Sequence, residues 1–98
     1  MLDRFSIHGV TSDALRTHVI DRLTFALDQH ESHVAAISVH FGDMNGHKTG
    51  GNDKRFNVVV NLRGGGEVVI EERGDDAYST VSLGADRVKQ AVGRKLDR

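Results

Sequence analysis

Residues 42–49 carry several of the residue types found in phosphate-binding loops. Such a loop needs four residues between its first glycine and a Gly-Lys-Ser/Thr end, and it opens a helix. Here three residues separate Gly42 from Gly46, His47 stands between Gly46 and Lys48, and a strand pattern follows. The acidic residue that closes a calcium loop is also missing. We therefore interpret the segment as a polar loop and exclude nucleotide hydrolysis.

Six histidines raise the question of a metal site, and the absence of cysteine removes thiol catalysis and Cys-based zinc sites. His30 and His33 lie three residues apart but straddle a predicted helix end, and a metal site needs a third ligand held in place. Serine, histidine and aspartate occur without the turn that presents a nucleophilic serine. The sequence therefore predicts no enzyme, no metal, no cofactor and no small-molecule substrate.

The basic residues form the more promising pattern. Residues 81–98 hold five basic and two acidic side chains, whereas residues 67–76 hold five acidic and one basic. On a helix, Arg87, Arg94 and Arg98 fall within about 20° of one line some 16 Å long, enough to meet two or three phosphates. Stabilisation of a helix C-terminus by cations is the alternative, but it does not account for Arg87. A mixed-charge solvated surface is the other ordinary interpretation.

Two helices and four strands must position these side chains. Ser12 is a good N-cap for a helix over about residues 13–29, and Asp75 or Asp76 caps the second helix. Apolar residues at helical spacing predict the buried faces: Leu15, Val19, Leu23, Ala26 and Leu27 in the first helix, and Tyr78, Val81, Ala85, Val88, Val92 and Leu96 in the second. Gly84 and Gly93 also lie in the second helix, and each costs up to about 1 kcal/mol against alanine, so its basic end should fray.

The strands show apolar residues in alternation. The pattern directs Ala35, Ile37, Val39, Phe41, Phe56, Val58 and Val60 toward the helices, and Val34, Ser38, His40, Asn57, Val59 and Val69 toward the open face. With Phe41 and Phe56 in the core, the sheet offers no aromatic platform for stacking bases. The fold class is α+β, in the order β-α-β-β-β-α, with two helices packed on one face of a four-stranded mixed sheet. We expect a single domain over residues 1–98, and no apolar run is long enough to cross a membrane.

This order, the Ser-Asp-Ala-Leu-Arg start of helix one and the Gly-Asp-Asp-Ala-Tyr start of helix two resemble the ribosome hibernation promoting factors. These belong with the ribosome-associated translation inhibitors. The loop Asp43-x-Asn45-Gly46-x-Lys48-x-Gly50-x-Asn52-Asp53-Lys54-Arg55 is similar to that of a short, single-domain branch of the family, although it is longer and richer in glycine than in the best-known members.

The resemblance implies a cytoplasmic, non-catalytic protein that binds the small ribosomal subunit between head and platform and inhibits translation in idle ribosomes under stress. It also implies that this chain lacks the second domain that pairs ribosomes in long relatives. The RNA-binding candidates that it implies are Lys48, Lys54, Arg55, Arg87, Lys89, Arg94, Lys95 and Arg98. The alternative is a protein-binding stress-response module of the same fold without ribosome affinity. This alternative is favoured if acidic residues neutralise the line of Arg87, Arg94 and Arg98.

Overall fold

Four strands and two α-helices follow one another in the expected order. The computed structural model describes residues 2–43 and 53–97. The elements are β1 (Phe5–His8), α1 (Asp13–Leu27), β2 (Val34–Asp43), β3 (Lys54–Leu62), β4 (Glu67–Gly74) and α2 (Ala77–Leu96). Short 3-10 segments precede β1 and join α1 to β2 over Asp28–His33. The α-helical part of the first helix therefore ends two residues before the predicted boundary.

The sheet has the strand order β1-β2-β3-β4, and it is mixed as expected. β1 runs parallel to β2, whereas β2 with β3 and β3 with β4 are antiparallel. The tight turn between β3 and β4 uses Gly64, Gly65 and Gly66, all at positive φ between 85° and 105°. Glycine adopts this backbone conformation without the steric cost that other residues meet.

The core lies between the helices and one face of the sheet. The predicted stripe of α1 is buried without exception, and Ile37, Val39, Phe56, Val58 and Val60 meet it from the sheet with no exposed surface. Val59 is only half-buried and Val69 is 60% exposed on the opposite face. The predicted side of the sheet is therefore confirmed.

The start of β2 corrects the prediction. Val34 is fully buried and Ala35 is exposed, the reverse of the expected arrangement. Val34 pairs with Leu62, but Ala36 pairs with Asn61, so Ala35 is an extra residue on β2. A bulge of this kind reverses the alternation of side chains, and the regular pattern begins only after it.

Side-chain caps set the starts of both helices. The Ser12 hydroxyl accepts a hydrogen bond from the Leu15 N–H at 3.0 Å. The Asp76 carboxylate accepts from the Ser79 N–H and from the Ser79 hydroxyl, both at 2.8 Å. These hydrogen bonds lower the pKa of the Asp76 carboxyl below its ordinary value of 3.8. α2 continues without a break through both of its glycines to Leu96.

The helices lie side by side and run in the same direction. Contacts pair His18 with Ser82 and Arg22 with Asp86, so residue numbers rise together along the two helices. Tyr78, expected in the core, is 42% exposed, and its ring packs edge-on against His18 with ring centroids 5.0 Å apart. It lies at the first turn of α2, where its side chain covers the flank of α1 instead of the sheet.

Candidate nucleic-acid interface

Six of the eight predicted RNA-binding residues can be located, while Lys48 and Arg98 lie outside the described residues. Lys54 and Arg55, here the loop-base pair, begin β3 beside Gly74, just before α2. Lys89, Arg94 and Lys95, here the helix-end group, lie in the last half of α2. Because a helix rises 1.5 Å per residue, the two groups are on the order of 25 Å apart. The fold does not gather them into one patch.

Acidic neighbours hold Lys54. Its Nζ lies 3.0 Å from an Asp53 carboxylate oxygen and 3.2 Å from one of Asp43. Hydrogen bonds to Asp53 and then to Asp43 raise the pKa of the Lys54 ammonium above its usual value. The Lys54 side chain is only 18% exposed, so it contributes little free positive charge to the surface.

Arg55 shares one carboxylate with a second arginine on the open face of the sheet. Its Nε lies 3.5 Å from Glu71 Oε2, and the Nε of Arg73 lies 3.2 Å from the same oxygen. Arg55 Nε is buried and makes no well-formed hydrogen bond within the described part of the chain. The Glu71 carboxylate is therefore shared by two guanidinium groups. Arg73 was not among the predicted residues.

Arg87 is bound to β4. Its Nη1 donates to the Glu71 carbonyl oxygen at 2.8 Å and lies 3.1 Å from Glu72 Oε1. The predicted line of Arg87 and Arg94 is therefore interrupted at its first member, since acidic residues of β4 approach this flank of α2. The two stretches of opposite charge recognised in the sequence meet here in space.

The helix-end group is different. Lys89, Arg94 and Lys95 are all exposed, and within residues 2–43 and 53–97 none of them forms an ion pair. The aliphatic end of Lys95 lies against Gly66 in the β3–β4 turn. Cations near a helix C-terminus also offset the negative end of the helix dipole. Of the located candidates, these three are the most available to phosphate groups.

An aromatic residue that sequence analysis missed stands beside this group. Phe25 of α1 is 68% exposed, and Lys89 Nζ lies 5.7 Å from its ring centroid. Arg22 approaches the same ring, with its guanidinium carbon 6.0 Å from the centroid. The signal available in the sequence was an aromatic residue outside the buried stripe of an amphipathic helix.

No metal centre is evident in the part of the chain that the structure describes. His30 and His33 both fall in the 3-10 segment, and among residues 2–43 and 53–97 there is no group of three or more His, Cys, Asp or Glu side chains placed to bind a metal ion. His8 and His40 stack on the open sheet face, with ring centroids 4.8 Å apart. None of the described helices is long and apolar enough to span a membrane.

Comparison with known proteins identifies the family. Residues 5–98 match the family model described as sigma 54 modulation protein / S30EA ribosomal protein. The chain belongs to this family. The resemblance inferred from the helix starts and the element order is thereby confirmed, since the match covers nearly the whole chain. A search of curated protein sequences finds no significant match.

Two solved structures share the fold of this chain. The N-terminal domain of Protein Y from Thermus thermophilus is 25% identical, with a TM-score of 0.70, and the alignment covers 93% of this chain and 94% of that one. A structure described as a ribosomal subunit interface protein from Coxiella burnetii has a TM-score of 0.75 at 19% identity, covering 96% and 98% of the two chains. The second likeness supports the fold alone.

Proposed function

We propose that this protein binds the small ribosomal subunit through ribosomal RNA and inhibits translation, promoting ribosome hibernation under stress. The observation that carries the proposal is the S30EA family match over residues 5–98. A solved relative at 25% identity, the N-terminal domain of Protein Y from Thermus thermophilus, shares the fold over 93% of this chain. The role requires no catalysis, and it is exercised in the cytoplasm, where ribosomes work.

The helix-end group is the principal RNA contact in this proposal. Lys89, Arg94 and Lys95 are exposed and carry no ion pair within residues 2–43 and 53–97. In protein–DNA interfaces, half or more of the hydrogen bonds go to the phosphate and sugar groups of the backbone, and lysine and arginine supply many of them. These side chains can therefore bind RNA phosphates without first breaking an ion pair with a carboxylate.

The loop-base pair and Arg87 contribute to RNA binding only if they give up their present carboxylate partners. Each must exchange a carboxylate for a phosphate, and the net gain from such an exchange is small when both partners are near the surface. Lys48 and Arg98, which the family resemblance implies as further contacts, complete the set of candidates. Binding should accordingly depend more on the end of α2 than on the base of the loop.

A second candidate function is a protein-binding module without ribosome affinity. The observation that favours it is the pairing of Arg87 with Glu72, which neutralises the first arginine of the predicted line on α2. The pairing of Arg55 with Glu71 does the same at the base of the loop. Such a module would not sediment with ribosomal particles. The same experiment therefore separates the two functions.

The test is co-sedimentation with purified small subunits over a salt series, together with inhibition of a cell-free translation reaction. Binding releases counterions from RNA, so the logarithm of the affinity should fall linearly with the logarithm of salt concentration. Replacing Lys89, Arg94 and Lys95 together by alanine should reduce that slope by about 2 to 3, at roughly 0.7–0.9 per phosphate contact.

A matched pair of charge reversals provides the control. Arg94→Glu should weaken binding strongly. The same change at Arg16, which is also exposed but lies on α1, should alter binding much less. Wild-type protein that remains at the top of the gradient at low salt would exclude the ribosomal function and favour the protein-binding module. Equal losses in the two reversals would show that only net charge matters and would remove the helix-end assignment.

A further inference from the structure

Phe25 is the most exposed aromatic side chain among the described residues, and folding does not explain it. It lies outside the buried stripe of α1, and 68% of its surface is in contact with solvent. Its ring stands at the seam between the helices, where Arg22 of α1 pairs with Asp86 of α2 at 3.7 Å. Its partners at this seam are the two cations already described.

Those cations give the ring a particular chemical character. The Arg22 guanidinium carbon and Lys89 Nζ lie 6.0 Å and 5.7 Å from the ring centroid, distances at which a cation is attracted to an aromatic face. Proteins that bind single-stranded nucleic acids combine aromatic side chains with positive charge in this way. A base stacks on the ring, and the neighbouring backbone phosphates contact the cations.

A groove that begins at Lys89, one of the two cations beside the ring, is large enough to hold a nucleotide. Phe25 itself lines a second groove, with Leu2, Ile20, Asp21, Thr24 and Asp28. The first groove has a volume of about 790 Å³ and lies between the end of α1 and the last half of α2. Its lining residues are Gln29, His30, Asp86, Lys89, Gln90, Gly93, Arg94 and Asp97. Asp86 is already paired with Arg22, and Gly93 places no side chain in the groove. The remaining charged side chains of the lining are Lys89, Arg94 and Asp97, so cations outnumber carboxylates there by two to one.

We propose that Phe25 is a stacking platform for an unpaired RNA base, with the flanking phosphates bound by Lys89 and Arg94. This inference rests on the proposed function, because it names the part of the RNA that the helix-end group receives. Two cations without an ion pair in the described part of the chain, Lys89 and Arg94, favour a polyanion over an apolar protein segment. They place its phosphates on the α2 side of the ring, away from Asp21 of α1 and Asp28 of the segment after it. The need for an open base face selects unpaired RNA over a duplex.

The experiment compares substitutions that separate stacking from apolar contact. Affinities are measured for small subunits, for an unpaired RNA oligonucleotide of eight nucleotides, and for the same oligonucleotide in a duplex. Phe25→Leu keeps an apolar side chain but removes the aromatic face, and Phe25→Trp keeps the face. Val69→Ala, which changes an exposed apolar residue on the opposite side of the molecule, is the matched control. Circular dichroism verifies the fold of each variant.

Stacking of one base predicts that Phe25→Leu weakens binding to unpaired RNA and to small subunits by about 5- to 150-fold. Phe25→Trp and Val69→Ala should bind as the wild type does, and affinity for the duplex should not change in any variant. A Phe25→Leu protein that binds unpaired RNA normally, or that loses no more than Val69→Ala, overturns the proposal. A third variant, Phe25→Ala, removes most of the apolar side chain. If Phe25→Ala weakens binding to small subunits and Phe25→Leu does not, the proposal is also overturned, because that result indicates an apolar contact with a protein.

The outcomes also separate this inference from the function on which it rests. Normal binding of Phe25→Leu to small subunits removes the stacking platform but leaves ribosome association intact. Wild-type binding to unpaired RNA without binding to small subunits, with the loss in Phe25→Leu, removes the ribosomal function and keeps the platform. Failure of the wild type to bind either RNA or small subunits overturns both.

Discussion

The same substitution at two positions of α2 should have opposite effects on stability. Both Gly84 and Gly93 lie inside this helix, where alanine is intrinsically favoured over glycine by about 0.8–1 kcal/mol. A Cβ atom at position 93 would meet only His30 Nε2 at 3.8 Å, an ordinary van der Waals distance. Gly93→Ala should therefore stabilise the protein by nearly the whole of that preference.

Position 84 is different because the helix lies directly on an aromatic ring. A Cβ atom there would lie 2.5 Å and 2.8 Å from two ring carbons of Phe56, which is fully buried. The ring has to move within a filled core, and overpacking of this kind costs about 1–3 kcal/mol. The cost exceeds the helical preference, so Gly84→Ala should lower the free energy of unfolding by up to about 2 kcal/mol.

Urea and thermal unfolding of the two variants and the wild type, at one pH, test this reasoning. In a domain of this size, 1 kcal/mol corresponds to a change in Tm of about 4–8 °C, so the variants should differ measurably and in opposite directions. An unchanged dependence on urea concentration verifies that stability itself has changed. The substitution Phe56→Leu should cost less in the Gly84→Ala protein than in the wild type, because the smaller side chain relieves the contact. Equal stabilisation at both positions would refute the argument, since it would mean that helical preference alone decides the outcome.

Three further predictions concern charges and caps. Glu72→Gln removes the carboxylate beside Arg87, so it should strengthen binding to small subunits and steepen the salt dependence by about 0.7–0.9, and weaker binding would contradict this. The pKa of the Asp76 carboxyl is lowered in the folded protein. Its contribution to stability is therefore complete above pH 3.8 and is lost as the pH falls through the pKa of the folded state. Asp76→Asn keeps a cap but not the charge, and its difference in Tm from the wild type should therefore disappear toward low pH; a difference that persists would assign the effect to another group. Ser12→Ala should lower the free energy of unfolding by about 1 kcal/mol in urea titrations, and no change would show that water replaces the cap.

The charge pairs explain why a nearly neutral protein can still present a basic surface. The acidic residues of β4 lie beside Arg55 and Arg87, and they neutralise the first member of the predicted line on α2 as well as the arginine at the base of the loop. The end of α2 extends beyond β4 and keeps its charge. Salt bridges between exposed groups are weak, about 0–1 kcal/mol each, so these pairs change the surface charge more than they stabilise the fold.

The amino-acid sequence by itself determined the order of elements, the caps, the buried faces and the family. Each of these depends on near neighbours along the chain: the spacing of three and four residues in α1, the alternation of two in β3, and single residues such as Ser12 before a helix. The register of β2 at Val34 escaped prediction because a bulge is defined by the partner strand, and Leu62 is far away in the sequence.

The candidate site depended on tertiary structure to a greater degree. The spacing of Arg87 and Arg94 predicted their common line on α2, but only the packing of α2 against β4 decided that Arg87 is bound to Glu72 while Arg94 is not. The contact between Phe25 and Lys89 joins residues of two different helices that are 64 positions apart in the sequence, so no local sequence pattern could predict it. Periodicity indicates which side of an element is buried, whereas the charge and ligand chemistry of a surface arise from residues that only the folded chain brings together.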